Sequence, residues 1–364
     1  MTASDRSSLM LRKHHGLGND FLVVIDLAGS SHLSSRDARI LCDRHRGIGA
    51  DGVIILSSGD RATGDRAADV VMDLFNADGQ RAETSGNGLR CVAQAAADAG
   101  LADATGMSVM TAAGLRHVAY VPGTVSGTGA ASVEMGAAKV DAIWRGPAEG
   151  GGVDRGSSAW PPALGSLRSV FQLSAGRARF SGGVESGRAF YAVCRVLVGN
   201  PHLVLFCEST AGVDVADLGS RVDEATVGGT NVEIVSVIRE GSGPSDPSTP
   251  SDPSTPSDPS TPSTPSNPSS ELSMVVWERG VGRTLACGTG SCAAAAAGRA
   301  MGISGDLTRV FNPGGALDVQ LSGDLREPDV VLSGPVQYVG SVEVDIDALR
   351  SAFSDLSAPA LAFS

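Results

Sequence analysis

Two short glycine-rich turns, each running straight into an alanine-rich stretch, constrain this chain more than any other feature. Ser85-Gly86-Asn87-Gly88 lies in the first half and Cys287-Gly288-Thr289-Gly290 in the second. Alanine is the best helix former, and a glycine past the last residue is a stop signal. The pattern predicts one helix over Leu89–Ala99 ending at Gly100, and another over Ser291–Met301 ending at Gly302. Short apolar runs around them read as strands. They are Phe21–Ile25, Gly52–Leu56, Val70–Phe75, Arg195–Val198, His202–Phe206, Val232–Ile238 and Leu272–Trp277. A strand-rich chain with one such helix in each half predicts an α+β protein of two similar domains.

At 364 residues the chain has room for two modest domains. A net charge of −12 argues against nucleic acid as a partner, because phosphate neutralisation needs basic patches. No apolar run reaches membrane-spanning length, so no membrane partner is expected. The stretch Met1–Arg12 carries charges without a following apolar segment, unlike a secretory signal. The six cysteines, Cys42, Cys91, Cys194, Cys207, Cys287 and Cys292, form no CxxC pair. A disulfide scaffold is therefore not expected, and a reducing cytoplasm is the natural setting.

The segment 240–270 differs in kind. Three consecutive copies of Ser-Asp-Pro-Ser-Thr-Pro run from Ser245 to Pro262. Regular proline removes donors and prohibits helix or sheet, so the segment reads as a solvated, disordered loop. Its position between two strands predicts an expanded hairpin connection, which loop-closure entropy tolerates.

A glycine turn opening a helix presents unpaired N–H groups at the positive end of the helix dipole. A carboxylate can bind there, and a cysteine there can have its pKa drawn down toward neutrality. Cys287 stands in the right place for both. The alternatives are a phosphate-binding or purely structural turn. Neither turn has the lysine of a Walker loop or the acidic residue of a dinucleotide fold. The histidines lack metal-ligand spacing and no Cys/His cluster occurs, so no metal is expected. Asparagines gather at other turns: Asn19, Asn76, Asn200 beside His202, and Asn231. Each is ordinarily a turn residue, but together they can supply neutral donors and acceptors to a zwitterion. Glu278 and Arg279, before Cys287, add a carboxylate and a cation.

In combination these motifs resemble the diaminopimelate epimerase family, within the wider fold family that includes proline racemase. The likeness runs from Leu11 to about Ile346, the Pro/Ser segment excepted. It rests on His15-Gly16-Leu17-Gly18-Asn19-Asp20-Phe21, Cys42-Asp43-Arg44, Gly47-Ile48-Gly49-Ala50-Asp51-Gly52, Phe75-Asn76-Ala77-Asp78-Gly79 and Gly86-Asn87-Gly88-Leu89-Arg90-Cys91 in the first half. Gly199-Asn200-Pro201-His202, Thr230-Asn231-Val232-Glu233, Glu278-Arg279-Gly280 and Ala286-Cys287-Gly288-Thr289-Gly290 continue it in the second.

The resemblance implies two strand-rich, barrel-like domains, each around a central helix. The first would span 11–130 and reclaim a late strand at 338–346; the second would span 131–337. It implies a homodimer that interconverts LL- and meso-diaminopimelate, in lysine and peptidoglycan-precursor synthesis, with neither pyridoxal phosphate nor metal. Substrate ligands carried over are Asn19, Asn76, Asn200, Asn231, Glu278 and Arg279, with Gly86, Asn87, Gly288 and Thr289 around the carboxylate. His202 and Glu278 would flank the chemistry. Some family members have a glutamine ligand where this chain has Gly52.

The larger departure is Ser85, at a position where the family has the second of two catalytic cysteines. Cys91, six residues on, matches a family cysteine without a catalytic role and is expected in the core. Inversion without a cofactor needs a base on one face of the α-carbon and an acid on the other. A hydroxyl is a far weaker base than a thiol unless a neighbour activates it, and folding could bring His202 to that role. Three readings of the chain stand: an epimerase with altered chemistry on the Ser85 face, a lyase or dehydratase of the same fold using Cys287, and a paralogue that binds an amino acid without turning it over.

Overall fold

The computed structural model describes residues 8–27, 29, 31–59, 68–82, 85–146, 161–174, 177–238 and 270–355. The expected loop at 240–270 lies outside these, except Ser270, the first residue of a strand. In the first half, β1 (Ser8–Gly16) and β2 (Asn19–Ile25) pair antiparallel. Helix α1 (Ser35–Cys42) crosses to β3 (Gly52–Ser58), parallel to β2, and β4 (Val70–Asn76) returns antiparallel. Helix α2 (Gly86–Asp98) then crosses to β5 (Met107–Thr111), parallel to β4. Strands β6 (Gly114–Pro122) and β7 (Thr128–Ala137) follow as a meander, and β8 (Lys139–Arg145) continues the chain.

A 3-10 helix (Pro162–Ser169) and a small sheet of β9 (Phe171–Ser174), β10 (Arg177–Phe180) and β11 (Ala189–Phe190) intervene. The second half repeats the first in its order of connections. Strands β12 (Ala192–Val198) and β13 (Asn200–Phe206) pair antiparallel, and α3 (Val215–Ala225) crosses to β14 (Asn231–Val237), parallel to β13. Strand β15 (Ser270–Glu278) returns antiparallel to β14, so the 239–269 segment joins two antiparallel neighbours. After β16 (Gly282–Thr284), α4 (Gly288–Ala300) crosses to β17 (Leu307–Asn312), parallel to β15. Strands β18 (Gly315–Gly323) and β19 (Pro328–Asp345) and helix α5 (Ile346–Asp355) complete the chain.

Strand β19 closes the architecture. Its first part pairs with β18 and β7, and its second with β1, from His15 opposite Gln337 to Ser8 opposite Asp345. The sheet therefore closes on itself through β1, giving an α+β fold built around a closed β-barrel. The expected late strand is the distal part of one long strand, and Ile346 already belongs to α5.

Both alanine-rich helices are buried on every side over their first eleven residues, Gly86–Ala96 and Gly288–Gly298. A helix without a polar face belongs in a core, and alanine keeps it thin enough to fit among strands. Cys91 and Cys292 are wholly enclosed there. Each helix starts three residues earlier than the composition suggests, because the glycine turn is itself the first helical turn. Gly100 and Gly302, both at φ +68°, take the left-handed stop conformation that favours glycine. Among the described residues no helix is long and apolar enough to cross a membrane.

Candidate active site

Ser85 and Cys287 are the N-caps of α2 and α4, both in extended backbone at φ −146°, ψ 118° and φ −121°, ψ 118°. The Ser85 hydroxyl accepts a hydrogen bond from the Gly88 N–H at 3.0 Å, and the Cys287 sulfur accepts one from the Gly290 N–H at 3.3 Å. Only the second glycine of each turn is used this way. The other early N–H groups remain for an anion, so two positive helix ends converge on one place.

That place is a cleft of about 420 Å³. Both turns, the four asparagines, Glu278 and Arg279 line it. Of the residues expected at the site, only His202 does not. It lies fully buried behind the wall, its Nε2 2.8 Å from Asn200 Oδ1 and its Nδ1 2.7 Å from Glu233 Oε1. His202 thus orients Asn200, and among the described residues it makes no hydrogen bond with Ser85. Glu233, equally buried, is the partner that sequence reasoning left without a role. Its neighbourhood with His202 arises only when β13 and β14 align in parallel.

The asparagines are held as firmly. Asn231 Oδ1 accepts from the Arg279 N–H at 2.9 Å, while Arg279 Nη1 donates to Gly228 O at 2.8 Å. Asn19 donates to Asp51 at 2.9 Å and accepts from Asn87 Nδ2 at 3.0 Å. The same Asn87 amide donates to Ala286 O at 2.9 Å, tying the α2 turn to the segment that carries Cys287. Beneath it, fully buried Arg90 donates to Asn87 Oδ1 at 2.7 Å and to the Gly86 and Pro335 carbonyls. Burial pulls Arg90 down to a pKa of about 10, which still leaves it a cation at neutral pH.

At Cys287 the balance runs opposite to the helix-end expectation. Burial, then the nearby carboxylates of Glu278 and Glu233, push the thiol well above its ordinary value. Bonds from Thr289 and the Gly290 N–H pull the other way and are outweighed. Burial also raises Glu278, to about 7, against the lowering effect of its bonds with Thr284 and Cys287. The site therefore holds a neutral thiol beside a carboxylate that titrates near neutrality. Such a pair supplies a thiolate when Glu278 takes the Cys287 proton.

Gly52 does not line the cleft. A Cβ there would meet the Phe75 carbonyl at 2.7 Å, so the position has no room for a side chain ligand. Asp51 and Arg81, which sequence reasoning left unassigned, line the cleft instead.

Fold and site together define the class: a cofactor-independent isomerase of the epimerase superfamily. The diaminopimelate epimerase family model matches residues 11–140 and 194–339, and the chain belongs to that family. It is 32% identical to the diaminopimelate epimerase of Synechococcus elongatus, over 94% of this chain and 100% of that protein. It is 31% identical to that of Thioalkalivibrio sulfidiphilus, over 93% and 99%. Among solved structures, a hydroxyproline epimerase from Agrobacterium vitis shares the fold at a TM-score of 0.57 and 14% identity, covering 93% of this chain and 94% of that one. A phenazine biosynthesis protein of the PhzF family from Bacillus anthracis does so at 0.55 and 12%, covering 93% and 99%.

Proposed function

We propose that this protein interconverts LL- and meso-2,6-diaminopimelate by acid/base chemistry at the α-carbon, without a cofactor. The observation that carries this reading is the convergence of the α2 and α4 N-termini on one cleft, with Cys287 capping one and Ser85 the other. The carboxylate at the reacting centre would rest on the N–H groups of Gly86, Asn87, Gly288 and Thr289. Their dipoles stabilise the negative charge that deprotonation pushes onto it. Glu278 takes the proton of Cys287, the thiolate removes the α-hydrogen, and the Ser85 hydroxyl delivers a proton to the opposite face. Asn19, Asn76, Asn200, Asn231 and Arg279 hold the rest of the zwitterion. Glu233 and His202 act through Asn200 by fixing its orientation.

We read the closed sheet as two similar barrels, 11–130 with 338–346 and 131–337, sharing β19. The repeated order of connections supports this division. The setting would be the cytoplasm and the assembly a homodimer, serving lysine and peptidoglycan-precursor synthesis. Incubating the full chain with LL-diaminopimelate and resolving stereoisomers by chiral chromatography tests the reading. Appearance of the meso isomer is expected. Binding without conversion would reduce the protein to an amino-acid-binding paralogue, and release of ammonia would make it a lyase.

A further inference from the structure

The two halves place equivalent residues around the two caps, and those residues differ in chemistry. Nine positions separate Glu278 from Cys287, and nine separate Asn76 from Ser85. Val232 faces Trp277 across β14–β15 as Val53 faces Phe75 across β3–β4, which makes Asn76 the counterpart of Glu278. His202 faces Asn231 as Phe21 faces Gly52, so Phe21 is the counterpart of His202 and Ile54 of Glu233. Cys287 therefore stands among a carboxylate, an imidazole and a second carboxylate. At the corresponding positions Ser85 has an amide, a phenyl ring and an aliphatic chain. Among the described residues, the one hydrogen bond of the Ser85 hydroxyl is the one it accepts from Gly88. The first-half carboxylates that line the cleft have other partners: Asp51 has Arg44 and Asn19, and Asp78 has the Gln80 N–H.

Resting on the reading above, we propose that this chain exchanges the α-hydrogen on the Cys287 face with solvent, configuration retained, faster than it inverts that carbon. The steps balance on one side alone. The Cys287 thiolate takes the α-hydrogen as a proton, and the electron pair it leaves on the carbon spreads into the bound carboxylate. Glu278 first passes to water the proton it took from Cys287, and then accepts the new S–H proton in its turn; a solvent deuteron returns by the same route to the same face. Inversion needs the Ser85 O–H to give up its proton. That leaves an alkoxide supported by the Gly88 N–H, with Asn76 where the other half has a titratable acceptor. Each unit of pKa mismatch costs about 1.4 kcal/mol, or tenfold. The same barrier meets both directions of inversion, as reversibility demands.

The test follows LL- and meso-diaminopimelate separately in D2O with the full chain, using proton NMR for exchange and chiral chromatography for inversion. One isomer is expected to lose its α-proton signal at least about tenfold faster than either isomer inverts, and the other to exchange no faster than it inverts. Ser85→Cys is expected to raise inversion at least about tenfold and bring the two rates together. Exchange that tracks inversion one for one with both isomers would overturn the inference. So would a wild-type chain silent in exchange beside an active Ser85→Cys variant. Silence in both would defeat the diaminopimelate reading itself, and the inference with it.

Discussion

Gly86 and Gly288 meet backbone to backbone across the floor of the cleft. A Cβ built on Gly288 would stand 3.1 Å from the Cα of Gly86, and one built on Gly86 would stand 3.4 Å from the Cα of Gly288. Both would also press on Leu332 Cδ2, at 3.0 and 2.7 Å. These are the residues directly after the two caps. The contact therefore ties the position of one cap, Cys287, to that of the other, Ser85.

Gly288→Ala is accordingly expected to act on turnover as well as on folding. Backbone cannot retract as a flexible side chain can, so the two helix ends must part by a few tenths of an ångström. Overpacking of this kind costs about 1–3 kcal/mol of stability. A misplacement of about 1 Å costs turnover on the order of a hundredfold, so a shift of a few tenths should cost roughly two- to fivefold. Isomerisation rates beside thermal melting of the same preparation check the two together.

Glu278→Gln is expected to separate function from stability. Below about 7 the carboxyl of Glu278 is protonated and cannot accept the Cys287 proton. Wild-type kcat/KM should therefore fall about tenfold per unit on the acid side. In the variant that limb should vanish and turnover should drop by roughly 10²- to 10⁴-fold. Stability moves the other way. A carboxyl whose folded pKa is raised favours the fold below its unfolded value and loses that contribution as pH rises through about 7. Above neutrality the amide should therefore be more stable than wild type by about 3 kcal/mol, with the gain gone near pH 4. Denaturation midpoints at two pH values decide it.

Arg90 makes a third case. Its guanidinium serves three acceptors, Asn87 Oδ1 and the carbonyls of Gly86 and Pro335, in a wholly buried position. Among the described residues no carboxylate pairs with it. Arg90→Met leaves those acceptors unsatisfied and should cost about 3 kcal/mol in a urea titration. It also frees the Asn87 side chain, so the variant's KM for diaminopimelate should rise.

The two turns, the helices behind them and most of the strands were legible in the sequence because each is a local pattern: glycine for the turn, alanine for the thin buried helix, β-branched runs for strands. The cleft-lining asparagines were legible through their motifs. The pairing of His202 with Glu233 was not, because two residues on separate strands meet only through a parallel register. The upward shift of the Cys287 thiol is hidden from the sequence for a related reason. A helix end is visible in a sequence, whereas burial and two carboxylates converging from β14 and β15 are not. Gly52 reads as a lost contact in the sequence; in the fold it is a position where the Phe75 carbonyl forbids a side chain.

In the proposed mechanism Cys287 moves the α-proton. Mass spectrometry of the meso-diaminopimelate formed from LL substrate in D2O, by wild type, Cys287→Ala and Cys91→Ala, shows whether it does. Wild type and Cys91→Ala should yield product carrying one deuteron at the inverted carbon, and Cys287→Ala should yield none. Deuterated product from a folded Cys287→Ala variant would contradict it.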